Sequence, residues 1–343
     1  MSEYIGLDVS KEETSYCIMD REGKILGRGK VDSDPEAIFV ILKEHTLHPE
    51  RIVLETGSMS SWLTEGLRDR KMPVSCVCAR RANAAMKLNP NKTDDNDAQM
   101  LADMARTGFY REVAIKSLVA RKRRSLLKAR HQLVAQRRDL DNSMRGLLRS
   151  FGIRLPKGAD KLPERIAKAI ADHTDLAAFI TPLLEARAAC LSAFGKLDDQ
   201  LMTQAKKSKT CQRLMSVPGV GPVTAMSFIA TIDDPGRFKN ARSAGAYAGL
   251  TTRRYQSGEM DYTGRISKQG DSLLRAALYE AANSLLTTVK KTHPIKSWAL
   301  RLKNKKGGKK ARVALARKLA VILLAMWRTG EDFRWPQVQE EKV

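Results

Sequence analysis

Tyr4-Ile5-Gly6-Leu7-Asp8-Val9-Ser10-Lys11 is an apolar run broken by a single carboxylate. Its length and its β-branched and aromatic content predict a buried strand. An aspartate inside such a strand is costly unless it is paired or holds a metal. Outward from it, Thr14 to Asp20 and Lys24 to Val31 read as two more strands, with Arg21-Glu22-Gly23 as the turn between them. Pro35 to His45 has helical periodicity, Arg51 to Glu55 is a buried strand, Ser60 to Lys71 a helix and Val74 to Cys78 another strand. The β-β-β-α-β-α-β order predicts an α/β domain built on a mixed sheet with helices on both faces. A further amphipathic helix is expected over Asp95 to Thr107, with Met100, Leu101 and Met104 facing inward.

Three more acids join Asp8. Glu55 ends the strand Ile52-Val53-Leu54, and the carboxyl ends of strands are where an open α/β sheet presents ligand groups. In Asn91-Lys92-Thr93-Asp94-Asp95-Asn96-Asp97-Ala98, Asp94 and Asp97 stand three apart at a helix start, a spacing that points both carboxylates the same way. Taken alone, the pair also fits a helix cap at Thr93 or Asp94. Four acids from two strands and a helix make a hard, all-oxygen set suited to one or two Mg²⁺ (or Mn²⁺) ions, the equipment of phosphodiester chemistry.

The chain's 343 residues, 43% of them hydrophobic, suffice for two or three domains. Its net charge of +23 predicts a polyanionic partner. The charge is unevenly placed. Residues 1–100 hold 14 Lys and Arg against 17 Asp and Glu, a net of −3, so the remainder carries +26. An acidic front followed by a basic remainder is the pattern of a carboxylate metal site joined to a phosphate-tracking surface. No signal-like leader or apolar run near the ~20 residues of a membrane span is seen, so a cytoplasmic, nucleoid-associated location in a prokaryote and no membrane partner are expected. Cys17, Cys76, Cys78, Cys190 and Cys211 are scattered and odd in number, which argues against a disulfide framework or a zinc site. His45 and His48 are a close pair without a third ligand in view, and a structural or surface role is expected.

From about Leu118 to Ser150 leucines recur at heptad spacing (Leu126, Leu133, Leu140, Leu147), with Leu127, Val134, Met144 and Leu148 beside them, predicting a long helix with a coiled-coil stripe. Its other faces carry ten cations: Arg121, Lys122, Arg123, Arg124, Lys128, Arg130, Arg137, Arg138, Arg145 and Arg149. Arg121, Arg123, Arg124, Arg130 and Arg137 are singled out for nucleic-acid backbone contact, because so large an excess outruns i,i+4 pairing. A second helical stretch from Pro163 to about Lys207 is expected to fold back on the first as an arm. The expected domains are 1–114, 115–208 and 209–343. The third opens with Ser216-Val217-Pro218-Gly219-Val220-Gly221-Pro222, which resembles a helix-hairpin-helix motif and equally fits an ordinary tight interhelical turn; in the first case Gly219 and Gly221 would expose backbone N–H groups to phosphate. Residues 301–310, with Lys305, Lys306 and Lys309, read as a basic, glycine-broken loop that would order on phosphate or RNA.

The order Asp8, Glu55, Asp94, Asp97 resembles the Asp-Glu-Asp-Asp set of a RuvC-type, ribonuclease H-like domain. Nearly the whole chain is similar to the insertion-sequence 110 transposases and the Piv-type DNA invertases. These continue into a helical arm and a mainly α C-terminal domain with a Pro-Gly hairpin and a Gly-Leu-x-x-Arg-x-x-x-Ser-Gly segment. Here that segment is Gly249-Leu250-Thr251-Thr252-Arg253-Arg254-Tyr255-Gln256-Ser257-Gly258, with Thr252 where many members have proline. The resemblance implies that Ser257 attacks DNA to form a phosphoserine intermediate while the four acids supply the metal. Arg253, Arg254, Arg265 and Lys268 are then candidates for phosphate binding. It also implies a structured guide RNA from the element's own ends and DNA as substrate. Because the serine and acidic segments lie at opposite ends of the chain with a helical arm between them, a homo-oligomer (dimer or tetramer) with a site completed between subunits is a further expectation. Ser267 reads as a helix cap. A RuvC-like junction nuclease using metal-activated water alone, or a non-catalytic nucleic-acid scaffold, are the alternative readings. An actin-like kinase is disfavoured because the basic remainder lacks a second glycine-rich nucleotide loop.

Overall fold

The computed structural model describes residues 2–45, 49–87, 91–156, 158 and 161–334. The chain forms two compact units, Met1–Lys116 and Ser117–Val343. In the first, β1 (Glu3–Val9), β2 (Glu13–Met19) and β3 (Ile25–Asp32) make an antiparallel meander, followed by α1 (Pro35–His45), β4 (Pro49–Glu55), α2 (Ser60–Asp69), β5 (Val74–Val77), α3 (Ala79–Met86) and α4 (Asp94–Thr107). The sheet order is β3-β2-β1-β4-β5, with β1, β4 and β5 parallel. The meander turns at Gly23, whose φ of 90° explains a glycine after Arg21-Glu22.

Strand alternation divides the core between two faces. Ile5, Leu7, Ile52 and Leu54 pack with Ile38, Leu42, Leu63 and Leu67 of α1 and α2. Tyr4, Val53 and Val77 pack with Ala82 and Met86 of α3 and with Leu101, Met104 and Ala105 of α4. The sequence does not predict α3, because Ala82 and Met86 are its only buried residues and one i,i+4 pair is too faint a period. Of the two histidines, His45 accepts or donates at Tyr16 Oη, 3.2 Å away, a structural role; His48 lies outside the described residues. All five cysteines are unpaired.

Gly6 fixes how α4 meets the sheet. A Cβ there would lie 2.1 Å from the Ala98 carbonyl oxygen and 2.2 Å from the Ala102 nitrogen, so the helix backbone rests directly on the strand. Ala98 and Ala102 are fully buried against β1 and β2, small enough to allow the approach.

The second unit contains α5 (Leu118–Ser150), α6 (Leu162–Ala169), α7 (Thr174–Lys207), α8 (Lys209–Met215), α9 (Pro222–Ile232), α10 (Ser243–Tyr247), β6 (Thr252–Ser257), β7 (Met260–Ile266), α11 (Ser272–Thr287), α12 (Pro294–Lys306) and α13 (Gly308–Thr329). Its main core surrounds α9, all of whose residues from Thr224 to Ile232 are buried, and also takes in Leu127 of α5 and Leu201 and Ala205 of α7. Residues 115–208 and 209–343, read from the sequence as separate domains, thus share a core at one end of the long helices. The other end has its own core, with Met144, Leu148, Leu162, Ile166, Leu176 and Ile180.

On α5 the flanking Leu127, Met144 and Leu148 are buried, together with Ala120 and Asp141, whereas the heptad's Leu147 is exposed. Asp141 belongs to this buried stripe because Arg187 of α7 meets it at 2.5 Å, both side chains almost wholly buried. A charge between hydrophobic turns defeats a leucine count. α7 also has an 18-residue stretch of mean hydropathy 1.4, so among the described residues one helix is long and apolar enough to cross a membrane by length and composition. The sequence reading finds no such run because that average tolerates interspersed charges; here α7 packs along α5.

Residues 301–310 are helical except at Gly307, where φ is 84° and α12 gives way to α13. This corrects the expected basic loop. Ala299, Ala311 and Leu315 bury one face of the two helices and Lys305, Lys306 and Lys309 lie exposed on the other. Ser267 caps no helix; Asp271 caps α11 by accepting from Leu274 N at 2.9 Å.

Two outcomes are expected. Gly6→Ala gains under about 1 kcal/mol from a stiffer unfolded chain, far less than the cost of forcing α4 off β1, so urea unfolding should show a net loss of about 3 kcal/mol or more. Arg187→Met should cost about 3–5 kcal/mol by stranding a buried Asp141, and Asp141→Leu added to it should recover most of that loss.

Candidate active site

The geometry of the acidic site follows from parity and register. Asp8 shares the α4 face of β1 with Tyr4 and Gly6, and Glu55 shares that face of β4 with Val53. Leu7 pairs with Leu54 across the parallel ladder, so Asp8 and Glu55 each lie one residue further on, at the same carboxyl edge. α4 delivers the other two acids. Thr93 caps it, its hydroxyl accepting from Asn96 N at 3.2 Å, which leaves Asp94 and Asp97 in the first turn without a capping role. The cap reading therefore belongs to Thr93 and not to the aspartates.

The four acids feel one another. Asp8 is pushed up to about 6 by burial first, then by the negative charges of Asp97 and Asp94, against the pull of Lys92. Glu55 is raised by burial, then by Asp8 and Asp97, again opposed by Lys92. Glu55 Oε2 is buried and has no hydrogen-bond partner among the described residues. A buried carboxylate oxygen left unsatisfied is costly, and a hard cation would satisfy it. Among the described residues, no three acidic, histidine or cysteine side chains are gathered closely enough to hold an ion as posed. Like charges spread one another, and Lys30 of β3 draws Asp94 aside at 3.3 Å while also approaching Glu13 at 3.9 Å. The four carboxylates are hard oxygen donors of the kind a divalent metal takes. Lys30 and Lys92 are the residues that motif reading misses: Lys92 sits in the quoted Asn-Lys-Thr-Asp run, whereas Lys30 lies on a strand 64 residues from its partner.

In the second unit Ser257 ends β6, exposed, at the tip of a two-residue hairpin, Gly258-Glu259, with Gly258 at φ 55°. Glycine first is the signature of a II′ turn. The base is tightly built: a Cβ on Gly270 would lie 2.2 Å from Tyr247 O, one on Gly249 2.6 Å from Gly270 N, and Arg275 holds both Ala248 O and Gly270 O. Arg254 is engaged by Asp261, with Nε donating at 2.8 Å. Arg253 donates weakly to Ser267 O at 3.4 Å, and Arg265 and Lys268 are exposed.

Of the helix cations, Arg124 is ion-paired to Asp271 at 2.5 Å and Arg130 to Asp198 at 2.7 Å, the latter also over the Phe194 ring. Both serve packing within the unit. Arg121, Arg123 and Arg137 lie half-buried along α5. Gly219 (φ 82°) is pressed on α11, where a Cβ would meet Ala281 O at 2.6 Å; Gly221, at the start of α9, has open space around it.

A mixed five-stranded sheet whose parallel strands and covering helix bring four acids to one edge is the architecture of a nuclease-like Asp-Glu-Asp-Asp domain, a class whose chemistry suggests a divalent metal. The matches to known families agree: an IS110-type DEDD transposase profile covers residues 5–153, and that of the transposase IS116/IS110/IS902 family covers 211–296. The chain is 31% identical over 340 residues to the transposase for insertion sequence element IS1111A of Coxiella burnetii, spanning 96% of this chain and 91% of that one. It is 27% identical to a probable family 20 transposase of Pseudomonas aeruginosa, over 94% and 96% of the two chains. A pilin gene-inverting protein of Moraxella lacunata is 30% identical over 122 residues, 35% of this chain and 37% of that protein. The chain belongs to the IS116/IS110/IS902 transposase family, and is thus an enzyme of DNA transposition and recombination.

The raised Asp8 has a thermodynamic consequence. Its carboxyl ionises near 6 in the fold against 3.8 when unperturbed, so ionisation opposes folding above about pH 6 and the effect fades as pH falls toward 3.8. Without divalent cations, Asp8→Asn should raise Tm by a few degrees at pH 8 and leave it unchanged near pH 4. Millimolar Mg²⁺ should raise the Tm of the wild type at pH 8 and not that of the variant. Thermal scans at both pH values check this, and a lower Tm for Asp8→Asn at pH 8 would contradict it.

Proposed function

We propose that this transposase cuts and rejoins DNA with two sets of its own side chains, the carboxylates Asp8, Glu55, Asp94 and Asp97 and the hydroxyl of Ser257. The observation that carries the reading is the convergence of the four acids on one edge of the sheet in a chain of this family. Those acids would hold Mg²⁺ (or Mn²⁺), which when bound supplies Lewis-acid polarisation of a phosphate oxygen. Ser257 Oγ attacks the scissile phosphorus: an Oγ–P bond forms, the bond from phosphorus to the leaving sugar oxygen breaks, and the serine proton passes overall to that oxygen. The phosphodiester energy is kept in the phosphoserine, so a different strand's hydroxyl can reverse the step and rejoin DNA without an outside energy source. Arg253, Arg265 and Lys268 supply positive charge around Ser257, while Asp261 keeps Arg254 in place.

A structured RNA from the element's ends guides the enzyme by pairing with target and donor DNA, leaving the protein to read shape and backbone. Arg121, Arg123 and Arg137 on α5, Lys305, Lys306 and Lys309 at the α12–α13 junction, and the open backbone at Gly221 in a helix-hairpin-helix-like turn are its phosphate contacts. α5 and α7 form the arm of a homo-oligomer in which the acids of one subunit act with Ser257 of another. The enzyme works on the chromosome of a prokaryotic cytoplasm.

The test is a recombination assay with purified protein, Mg²⁺ and candidate element ends, with and without RNA transcribed from the sequence flanking the gene. Ser257→Ala is expected to abolish the covalent protein–DNA adduct and to lower recombination by about 10⁴-fold or more, and Asp8→Asn to do likewise. Cleavage that Ser257→Ala leaves intact overturns the serine step in favour of metal-activated water. Recombination without RNA overturns the guide.

A further inference from the structure

The β6–β7 hairpin has two unlike faces. Register pairs Tyr255 with Tyr262 and Ser257 with Met260, and alternation adds Arg253 and Gly264 to the same side. The opposite side carries Arg254 and Asp261, joined to each other, with Gln256 and Thr263. On the serine side the two tyrosine rings stack, centroids 4.9 Å apart and planes 17° from parallel. Tyr255 lies against Gly264, where a Cβ would be only 3.1 Å from its ring. This glycine leaves room for the ring.

Apolar surface of this kind is usually buried, yet Tyr255 is 45% exposed, Tyr262 57% and Met260 65%. None of the three belongs to the core cluster that Ile266 joins at the hairpin's base. The setting is cationic: Arg253 on the same face, Arg265 and Lys268 nearby, in a unit with 44 Lys and Arg against 19 Asp and Glu. Preordered aromatic rings amid phosphate-attracting charge match the physics of nucleobase stacking, and a protruding methionine matches that of a wedge between bases.

We infer that the Tyr255–Tyr262 stack is a nucleobase platform, which holds an unpaired base of a nucleic-acid strand against the hairpin face that carries Ser257. The inference rests on the proposed role of Ser257 only for what the base is positioned for. With Met260 parting the duplex and a base held on the tyrosines, the adjoining phosphate is fixed beside the serine hydroxyl. The tyrosines are positioning residues and take no part in bond making.

The experiment uses the full chain and a labelled 12-nucleotide oligothymidylate, with a labelled 12-base-pair duplex as reference, followed by fluorescence anisotropy at fixed salt. Tyr255→Leu with Tyr262→Leu is expected to weaken oligothymidylate binding about tenfold or more and duplex binding less than twofold; Tyr255→Phe with Tyr262→Phe is expected to bind as wild type. Irradiating the complex with a 5-iodouracil-substituted oligonucleotide should crosslink Tyr255 or Tyr262, read by mass spectrometry. Unchanged single-strand affinity in the leucine pair overturns the platform, as does equal loss for both probes, failure of the phenylalanine pair to restore binding, or crosslinking elsewhere only. Ser257→Ala separates the two readings: it should bind oligothymidylate normally, so tyrosine-dependent binding with undiminished recombination in Ser257→Ala would sink the nucleophile and leave the platform standing.

Discussion

Gly6 lies against the backbone of α4 with no room for a single Cβ, and the arrangement of the acidic site depends on that contact. A helix held at ordinary side-chain distance from a sheet would carry its first turn several ångströms from the strand ends. Held at the backbone, with the small Ala98 and Ala102 flanking the contact, α4 presents Asp94 and Asp97 over the edge where Asp8 and Glu55 end. Two parallel strands supply the other half of the constraint, because a shared direction puts their carboxyl ends on one side.

That convergence is electrostatically unfavourable by itself. Burial and mutual repulsion raise Asp8 and Glu55, an oxygen of Glu55 goes unsatisfied, and Lys30 and Lys92 provide the compensating positive charge. The fold has accepted strain of the kind associated with function, and has offset it with cations placed around the cluster. The lysine that holds Asp94 is half exposed and Asp94 more so, so the pair itself adds little to stability.

The second unit spends its charge in two ways. Some cations, Arg124, Arg130 and Arg187, are structural, tying long helices to their neighbours through carboxylates. Others stay at the surface, on the α12–α13 junction and around the hairpin. The hairpin combines a base closed by Gly249 and Gly270 with a tip that buries nothing, the construction of an element that keeps its shape while it waits for a partner.

The sequence by itself determined the strand and helix order of the first unit except α3, together with the positions of the four acids and the segment around Ser257, because period, turn residues and charge are local properties of the chain. It also determined the electrical asymmetry, which is a matter of counting. Only the tertiary structure decided which arginines are engaged, since Asp198 and Asp271 lie 68 and 147 residues from their partners. Only it seated Asp141 within the buried stripe of α5, against Arg187, and turned 301–310 from a basic loop into two helices, by packing Ala299 and Ala311. The same holds for Lys30 beside Asp94 and for the tyrosine stack on the face of Ser257. Each depends on a contact between residues that chain spacing leaves unrelated, and a cross-strand or interhelical partner is fixed only when burial selects one register.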